Sequence, residues 1–372
     1  MAEKLRIGLI FGGRSGEHEV SLLSAHSVRS VLDPDIYQVT EIGITPEGMW
    51  LGGSAVLEAF ENKQYDALSP VILLPEPRNA TLYHLTRSPL GDILEPFARL
   101  DVIFPLIHGT FGEDGTLQGL LELADVAYVG GGVLASSVGM DKALFKEVMR
   151  ANQIPVVDSL LVNRHELESG IADVISQVEA SLTYPVFVKP VNLGSSVGVS
   201  KCFGASDLVE GLLEAARYDR RIMVEQGVNA REIEVSVLGN DHPQASVIGE
   251  VLPGAEFYTY DAKYINDNSE LVIPAKVDAA LAGKIQATAI KAYGLVDCAG
   301  MARVDFLLDR DSNEFFLSEI NTIPGFTRIS MYPKLWEASG IHYPELVKRL
   351  IQLAQERKSE RDHTQRIYRR RE

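Results

Sequence analysis

Arg303 and Asp305 stand two residues apart in ARVDFLL, and Glu319 and Asn321 stand two apart in EFFLSEIN. Both runs are otherwise apolar, and the turn-rich DRDSN separates them, so they read as an antiparallel hairpin. A hairpin centred on Ser312 places Asp305 opposite Glu319 and Arg303 opposite Asn321. Residues two apart in a strand share a face, so all four side chains project to one side of the sheet. Opposed carboxylates repel, and burying them without a cation is worse. Two carboxylates and an amide oxygen are hard ligands that suit Mg²⁺, an ion that keeps waters and completes its shell with substrate phosphates. A solvated hairpin face with Arg303 paired to Asp305 satisfies the same residues, and these positions alone leave both readings open.

A second constellation lies in YPVFVKPVNLGSSVGVSK. Lys189 ends an apolar strand and is followed by a loop holding Gly194, Ser195, Ser196 and Gly198. Such a loop offers backbone N–H groups and hydroxyls to an anion, and the lysine adds a point charge for phosphate. No GK[ST] follows, so this is not a Walker A loop, and an ordinary hairpin turn is the competing reading. In FGGRSGEHEVSL a strand runs through a Gly12-Gly13 turn into a helix start bearing Glu17 and Glu19. Phe11 occupies the position where a dinucleotide fingerprint needs glycine, which disfavours a dinucleotide oxidoreductase. Glu17 either answers the helix dipole or faces the crevice at the strand ends, where it would hold a cationic group. His108, in PLIHGTFGEDG after another strand, would occupy the same crevice. Residues 253–275, PGAEFYTYDAKYINDNSELVIPA, form a long polar and aromatic insertion that reads as a lid over a site or as a plain surface loop.

The elements that must position these groups alternate between β and α. LRIGLIF, YQVTEIGI and LDVIFPLIHG are strands, with helix-like EHEVSLLSAHSVRSVL and TLQGLLELA among them, a pattern that predicts a parallel sheet. A Gly/Ser-rich break at VGGGVLASSVGM precedes the helix DKALFKEVMRAN and sets a boundary near residue 137. Residues 138–225 form a compact central unit, and 226–355 a strand-rich one closed by the helix YPELVKRLIQLAQ. Residues 356–372 carry seven basic and four acidic residues without apolar periodicity and read as a solvated, flexible tail. At 372 residues the chain has room for two or three domains. A formal charge of -16 opposes nonspecific binding to nucleic acid or anionic membrane. Two cysteines without CxxC spacing indicate neither a disulfide framework nor a zinc site. The opening MAEKLRIGLIFGG lacks the marks of a secretory leader, and no apolar run approaches a membrane span, so the expected setting is cytoplasmic.

GGRSGEHEVSL, PLIHGTFGEDGTLQGLLE, GMDK, VKPVNLGSSVGVSK, DAKY, GMARVDF and SEINTIPGFTRISMYP, in that order over residues 12–333, resemble the D-alanine:D-alanine ligase family of the ATP-grasp superfamily. The resemblance implies an α/β fold, α+β in its C-terminal part, with three-region ATP-grasp architecture and an N-terminal parallel-sheet domain (1–137) ahead of the two ATP-grasp lobes. It implies ATP-dependent joining of two D-alanines through an acylphosphate, for peptidoglycan precursor synthesis, and a homodimer formed through the N-terminal region. Two Mg²⁺ ions, for which Mn²⁺ can substitute, would be held by Asp305, Glu319 and Asn321. Lys142 and Lys189 would contact the phosphates, and the loop at Ser195 and Ser196 would close over them. Glu225 and Val228 would face the adenine and Glu232 the ribose; Gln226 stands where many relatives have lysine.

On the amino-acid side, the resemblance gives Glu17 the ammonium of the first D-alanine, in a hydrogen-bond set with Ser195 and Tyr264. Lys263 would neutralise the transferring phosphoryl group, Arg303 and the Gly325 backbone would hold the oxyanion, and Ser330 and Met331 would receive the second carboxylate. Tyr264 favours dipeptide over ester synthesis, because D-lactate-using relatives typically carry Phe there. The other readings are an ATP-grasp ligase for a different carboxylate, including D-lactate, and a nucleotide-binding regulator without catalysis, which the presence of the metal-ligand set and Arg303 opposes.

Overall fold

The computed structural model describes residues 3–194, 197–252 and 270–365, which leaves Ser195, Ser196, Lys263, Tyr264 and most of the expected lid outside the described residues. The chain begins with β1 (Leu5–Gly12), α1 (His18–Arg29), β2 (Tyr37–Ile44), β3 (Trp50–Gly52), α2 (Val56–Glu61), β4 (Ser69–Leu73), β5 (Thr81–Thr86), β6 (Ile93–Arg99), β7 (Val102–Pro105), α3 (Thr116–Leu123) and β8 (Ala127–Tyr128). Their strands make one sheet in the order β6-β5-β4-β3-β2-β1-β7-β8. The expected parallel part is β2-β1-β7-β8. β1 is buried along six consecutive residues, as a parallel strand covered on both faces must be. Beyond β2 the sheet continues antiparallel through β6, an extension the parallel expectation did not include. Phe11 packs edge-on against Phe60 in this core.

Only the first four residues of the glycine- and serine-rich break lie outside regular structure; the rest is α4 (Val133–Met140), so the boundary drawn at 137 falls within a helix. Small residues serve close packing there rather than chain flexibility: a Cβ on Gly139 would come 3.1 Å from the Ile320 side chain. The central unit follows as α5 (Lys142–Ala151), β9 (Ser159–Asn163), α6 (Arg164–Ser181), β10 (Val186–Pro190), β11 (Ser200–Cys202), α7 (Ala205–Tyr218) and β12 (Arg221–Gln226). Its sheet, β11-β10-β12-β9, is antiparallel throughout. Val186, Val188, Ile222 and Val224 pack against α6 and α7. The alternate residues Phe187, Lys189, Met223 and Glu225 therefore lie on the opposite face.

The third unit comprises β13 (Ala230–Gly239), β14 (Gln244–Leu252), β15 (Glu270–Val272), α8 (Ala279–Leu295), β16 (Gly300–Asp309), β17 (Phe315–Asn321), α9 (Met331–Ala338) and α10 (Tyr343–Asp362). The sheet order is β15-β14-β13-β16-β17. Ile233, Val235, Val304 and Phe306 pack with Ile285, Ala289 and Tyr293 of α8. The β16–β17 register is the expected one at the site, with Arg303 opposite Asn321 and Asp305 opposite Glu319. It then shifts by one residue at a bulge, so that Phe306 faces Leu317. Leu317 and Ile320 are both buried though three apart, and an extra residue between them is what lets both point to the core.

The solvated tail expected from Glu356 is instead helical to Asp362. Arg357 stacks 4.2 Å over the Tyr128 ring, and Lys358 and Arg361 pair with Asp125. These partners belong to the N-terminal unit, which is why basic residues without apolar periodicity are ordered. No described helix is long and apolar enough to cross a membrane.

Candidate functional site

β13, β16 and β17 present a row of charges on the face opposite α8. Glu234 of β13 lies beside Asp305, and Asp305 lies beside Glu319. Arg303 holds Asp305 through two bonds, 2.8 Å from Nε and 2.7 Å from Nη2, and its Nε is also 3.0 Å from Glu234. Asn321 Nδ2 donates to Asp305 at 2.9 Å, and Glu319 lies 3.5 Å from the Lys142 ammonium. Each carboxylate thus lies beside a protein cation, Arg303 serving both Glu234 and Asp305, which eases the repulsion that the register creates. The Arg303–Asp305 pair foreseen as the alternative reading exists, but in a closed setting: both side chains are less than a fifth exposed. Among the described residues there is no cluster of three or more His, Cys, Asp or Glu able to enclose a metal. Asp305, Glu319 and Asn321 form a sparse oxygen set, which fits Mg²⁺ with its retained waters and phosphate ligands better than a metal needing an all-protein cage.

Lys142, at the start of α5, also donates to the Leu193 carbonyl at 2.9 Å and so joins the hairpin to the loop after β10. Lys189 and Lys146 both contact the buried carboxylate of Glu225. Burial, and then the neighbouring Lys142, lower the Lys189 ammonium to about 8, opposed by Glu319. Burial likewise pulls Lys146 down, with Lys189 adding to the effect. Glu225, expected at the adenine, thus has its carboxylate committed to lysines. Gln226 turns away to Thr183, accepting from its N–H at 2.9 Å and donating to its carbonyl at 2.8 Å. Val228 is half-buried in the β12–β13 connection, and Glu232 shares its face of β13 with Glu234.

The N-terminal unit closes the other side. Glu17, Lys142, Arg303, Glu319, Asn321 and Gly325 line one cavity, together with His108, Glu113 and Gly194. Glu17 is the residue before α1 and is nearly buried. Gly109 has φ +76°, and a Cβ there would sit 2.7 Å from the Glu17 carboxylate, so a side chain at 109 would displace it. The Ile323–Phe326 segment is held by N-terminal side chains. His108 Nδ1 donates to the Ile323 carbonyl at 2.9 Å, and its Nε2 lies 3.0 Å from the Ser24 hydroxyl, which accepts from the Phe326 N–H at 3.3 Å. Glu113 accepts from Ile323 N–H at 2.8 Å and Gly109 N–H at 2.9 Å. Burial keeps His108 below the usual histidine range. Burial and then Glu17 push Glu113 up to about 8, against those two N–H bonds.

Ser330 and Met331 do not line this cavity. The Ser330 hydroxyl accepts from Thr327 N–H at 3.1 Å, and the Met331 side chain packs against Val251 and Leu335, leaving the backbone at the start of α9 as what these residues can offer a carboxylate. The sequence reading had not singled out Glu113, Lys146 or Glu234. Glu234 follows Glu232 by two in a strand pattern and was the most findable of them; the other two act through partners distant in sequence.

Two family models match the chain, "D-ala D-ala ligase N-terminus" over residues 6–131 and "D-ala D-ala ligase C-terminus" over 148–352. It is 46% identical over 361 residues to the D-alanine–D-alanine ligase of Natranaerobius thermophilus, covering 97% of each chain. It is 49% identical over 369 residues to that of Heliobacterium modesticaldum, covering 98% of this chain and 99% of the relative. Among solved structures, the D-alanine-D-alanine ligase from Coxiella burnetii superposes with TM-score 0.82 at 37% identity over 97% of both chains. The VanG D-Ala:D-Ser ligase from Enterococcus faecalis superposes with TM-score 0.81 at 33% identity, over 95% of this chain and all of that one.

Proposed function

The chain belongs to the D-alanine–D-alanine ligase family, and from that premise we propose which of its residues bind and join two D-alanines at the expense of ATP. It is an ADP-forming ligase that makes D-alanyl-D-alanine for peptidoglycan. What carries the assignment of residues is one observation: Glu17 after β1, Lys142 at the start of α5, Gly194 after β10, and Arg303, Glu319, Asn321 and Gly325 of the β16–β17 hairpin and its following loop come to a single cavity.

ATP occupies the cleft with its adenine toward Glu225 and Val228 and its ribose toward Glu232. Lys142, Lys189, Lys263 and the Ser195–Ser196 loop contact its phosphates. Two Mg²⁺ ions, or Mn²⁺ in their place, held by Asp305, Glu319 and Asn321, would supply charge neutralisation to those phosphates. Glu17 takes the ammonium of the first D-alanine, with His108 behind it and Ser195 and Tyr264 completing the set. A carboxylate oxygen of that D-alanine attacks the γ-phosphorus and ADP leaves. The amine of the second D-alanine, its carboxylate at Ser330 and Met331, then attacks the acyl carbon. Arg303 and the Gly325 N–H stabilise the resulting oxyanion, and phosphate departs with the attacking carboxylate oxygen. The protein contributes position and charge rather than a covalent intermediate. A metal at Asp305 would compete with Arg303 for that carboxylate, and Glu234 would offer the guanidinium a second partner. The active form is a cytoplasmic homodimer joined through the N-terminal region, with residues 253–275 as the lid.

The test is phosphate release from ATP and Mg²⁺ with D-alanine alone, then with D-serine or D-lactate added, and products identified by mass. Phosphate with D-alanyl-D-alanine and no ester is the expected result. A dominant D-alanyl-D-serine or depsipeptide product would reassign the second site.

A further inference from the structure

Lys146 is fully buried and has no part in the ligation chemistry, yet it sits one helical turn beyond Lys142 on α5. Its ammonium donates to the Val157 carbonyl at 3.2 Å and to Glu225. Glu225 lies in the middle of its sheet, paired with Phe187 on one side and Ser159 on the other, so its backbone is fixed. Its single carboxylate therefore stands between two ammoniums of unequal access. Lys146 is 1% exposed, whereas Lys189 is 17% exposed.

We propose that Lys146 is a positioning residue for nucleotide binding: it remains with Glu225 as a permanent counter-ion, and so leaves Lys189 able to exchange Glu225 for the phosphates of ATP. The inference rests on the cleft being the nucleotide site. Removing one member of a buried ion pair is strongly unfavourable because the other charge is left uncompensated. With Lys146 in place, departure of Lys189 leaves Glu225 still paired. Without Lys146, Lys189 becomes the remaining lysine on that carboxylate, and each binding event must strip it. Lys146 cannot take the phosphate itself, since Val157 and Glu225 enclose its ammonium.

The experiment is calorimetric titration of Mg·ATP into the full-length protein without D-alanine, for wild type, Lys146→Met, Glu225→Gln and the double variant, each checked for folding by circular dichroism. Lys146→Met is expected to weaken ATP binding about tenfold or more, and to raise the KM for ATP by a similar factor with kcat changed little. Because Glu225 itself faces the adenine, the double variant is compared with Glu225→Gln alone: the effect of Lys146→Met should vanish there, since a neutral amide no longer retains Lys189. If Lys146→Met does not fold, the comparison is made in the Glu225→Gln background, where Lys146→Met is expected to leave ATP affinity unchanged. Wild-type affinity in folded Lys146→Met would overturn the proposal; so would a further loss of affinity on adding Lys146→Met to Glu225→Gln. Wild-type protein that bound no ATP would overturn the nucleotide reading of the cleft as well.

Discussion

Asp305 and Glu319 face each other across two strands, and a carboxylate pair so placed is stable only with cations beside it. Arg303 and Lys142 supply these in the protein alone. Glu319→Gln is therefore expected to raise the Mg²⁺ needed for half-maximal phosphate release by roughly tenfold to a hundredfold, the range in which metal-site groups act; an unchanged Mg²⁺ titration would remove Glu319 from the metal set. Lys189 gives a prediction of opposite charge. Its ammonium is lowered to about 8 by burial, so it is charged below that pH and loses the charge as pH rises through it. kcat/KM for ATP should then fall above about pH 8, by about tenfold per unit, and Lys189→Arg, which stays charged, should flatten that limb. The hairpin residues were legible in the sequence because period two is a local rule. Lys146 and Glu113 were not, because their partners lie 79 and 210 residues away, and no local pattern reports such a pairing.

The elements show where a local rule is broken and why. The hairpin was placed correctly, but its bulge was missed, since it is needed only once Leu317 and Ile320 must both reach the core. The VGGGVLASSVGM stretch reads as a break, because glycine and serine carry turn propensity; its second part is α4, where Gly139 allows close packing against Ile320. The loop from Ile323 to Phe326 has no regular structure of its own and depends on Glu113, His108 and Ser24. Glu113→Ala leaves two backbone N–H groups without their acceptor and lets the Gly325 peptide shift. The expected outcome is a kcat lowered about tenfold, the scale of one lost buried hydrogen bond, with the KM for ATP nearly unchanged. A rise in the ATP KM with kcat intact would place Glu113 in nucleotide binding instead.

Across the whole molecule, a parallel-cored sheet buried on both faces and two antiparallel sheets are held together so that their loops meet at one cavity. α10 is one such tie: Arg357 stacks on Tyr128, Lys358 and Arg361 reach Asp125, and Arg361 also contacts Glu122. Removing residues 356–372 is expected to cost about 2 kcal/mol through the lost stacking and ion pairs, read as a thermal midpoint lower by about 2–4 °C; an unchanged midpoint would make those contacts energetically idle. Fold class and three-part organisation were visible in the alternation of elements and the order of motifs. The docking of the basic helix end was not, because a run of charge without apolar period looks solvated until its acidic partners are in place. In the proposed reaction the cavity brings a D-alanine carboxylate to the γ-phosphate of ATP and then the second amine to the same carboxyl carbon. The decisive measurement uses D-alanine labelled in both carboxylate oxygens with ¹⁸O, with mass analysis of the phosphate released during dipeptide synthesis. One ¹⁸O in each phosphate is the predicted result, and dipeptide formed with unlabelled phosphate would contradict it.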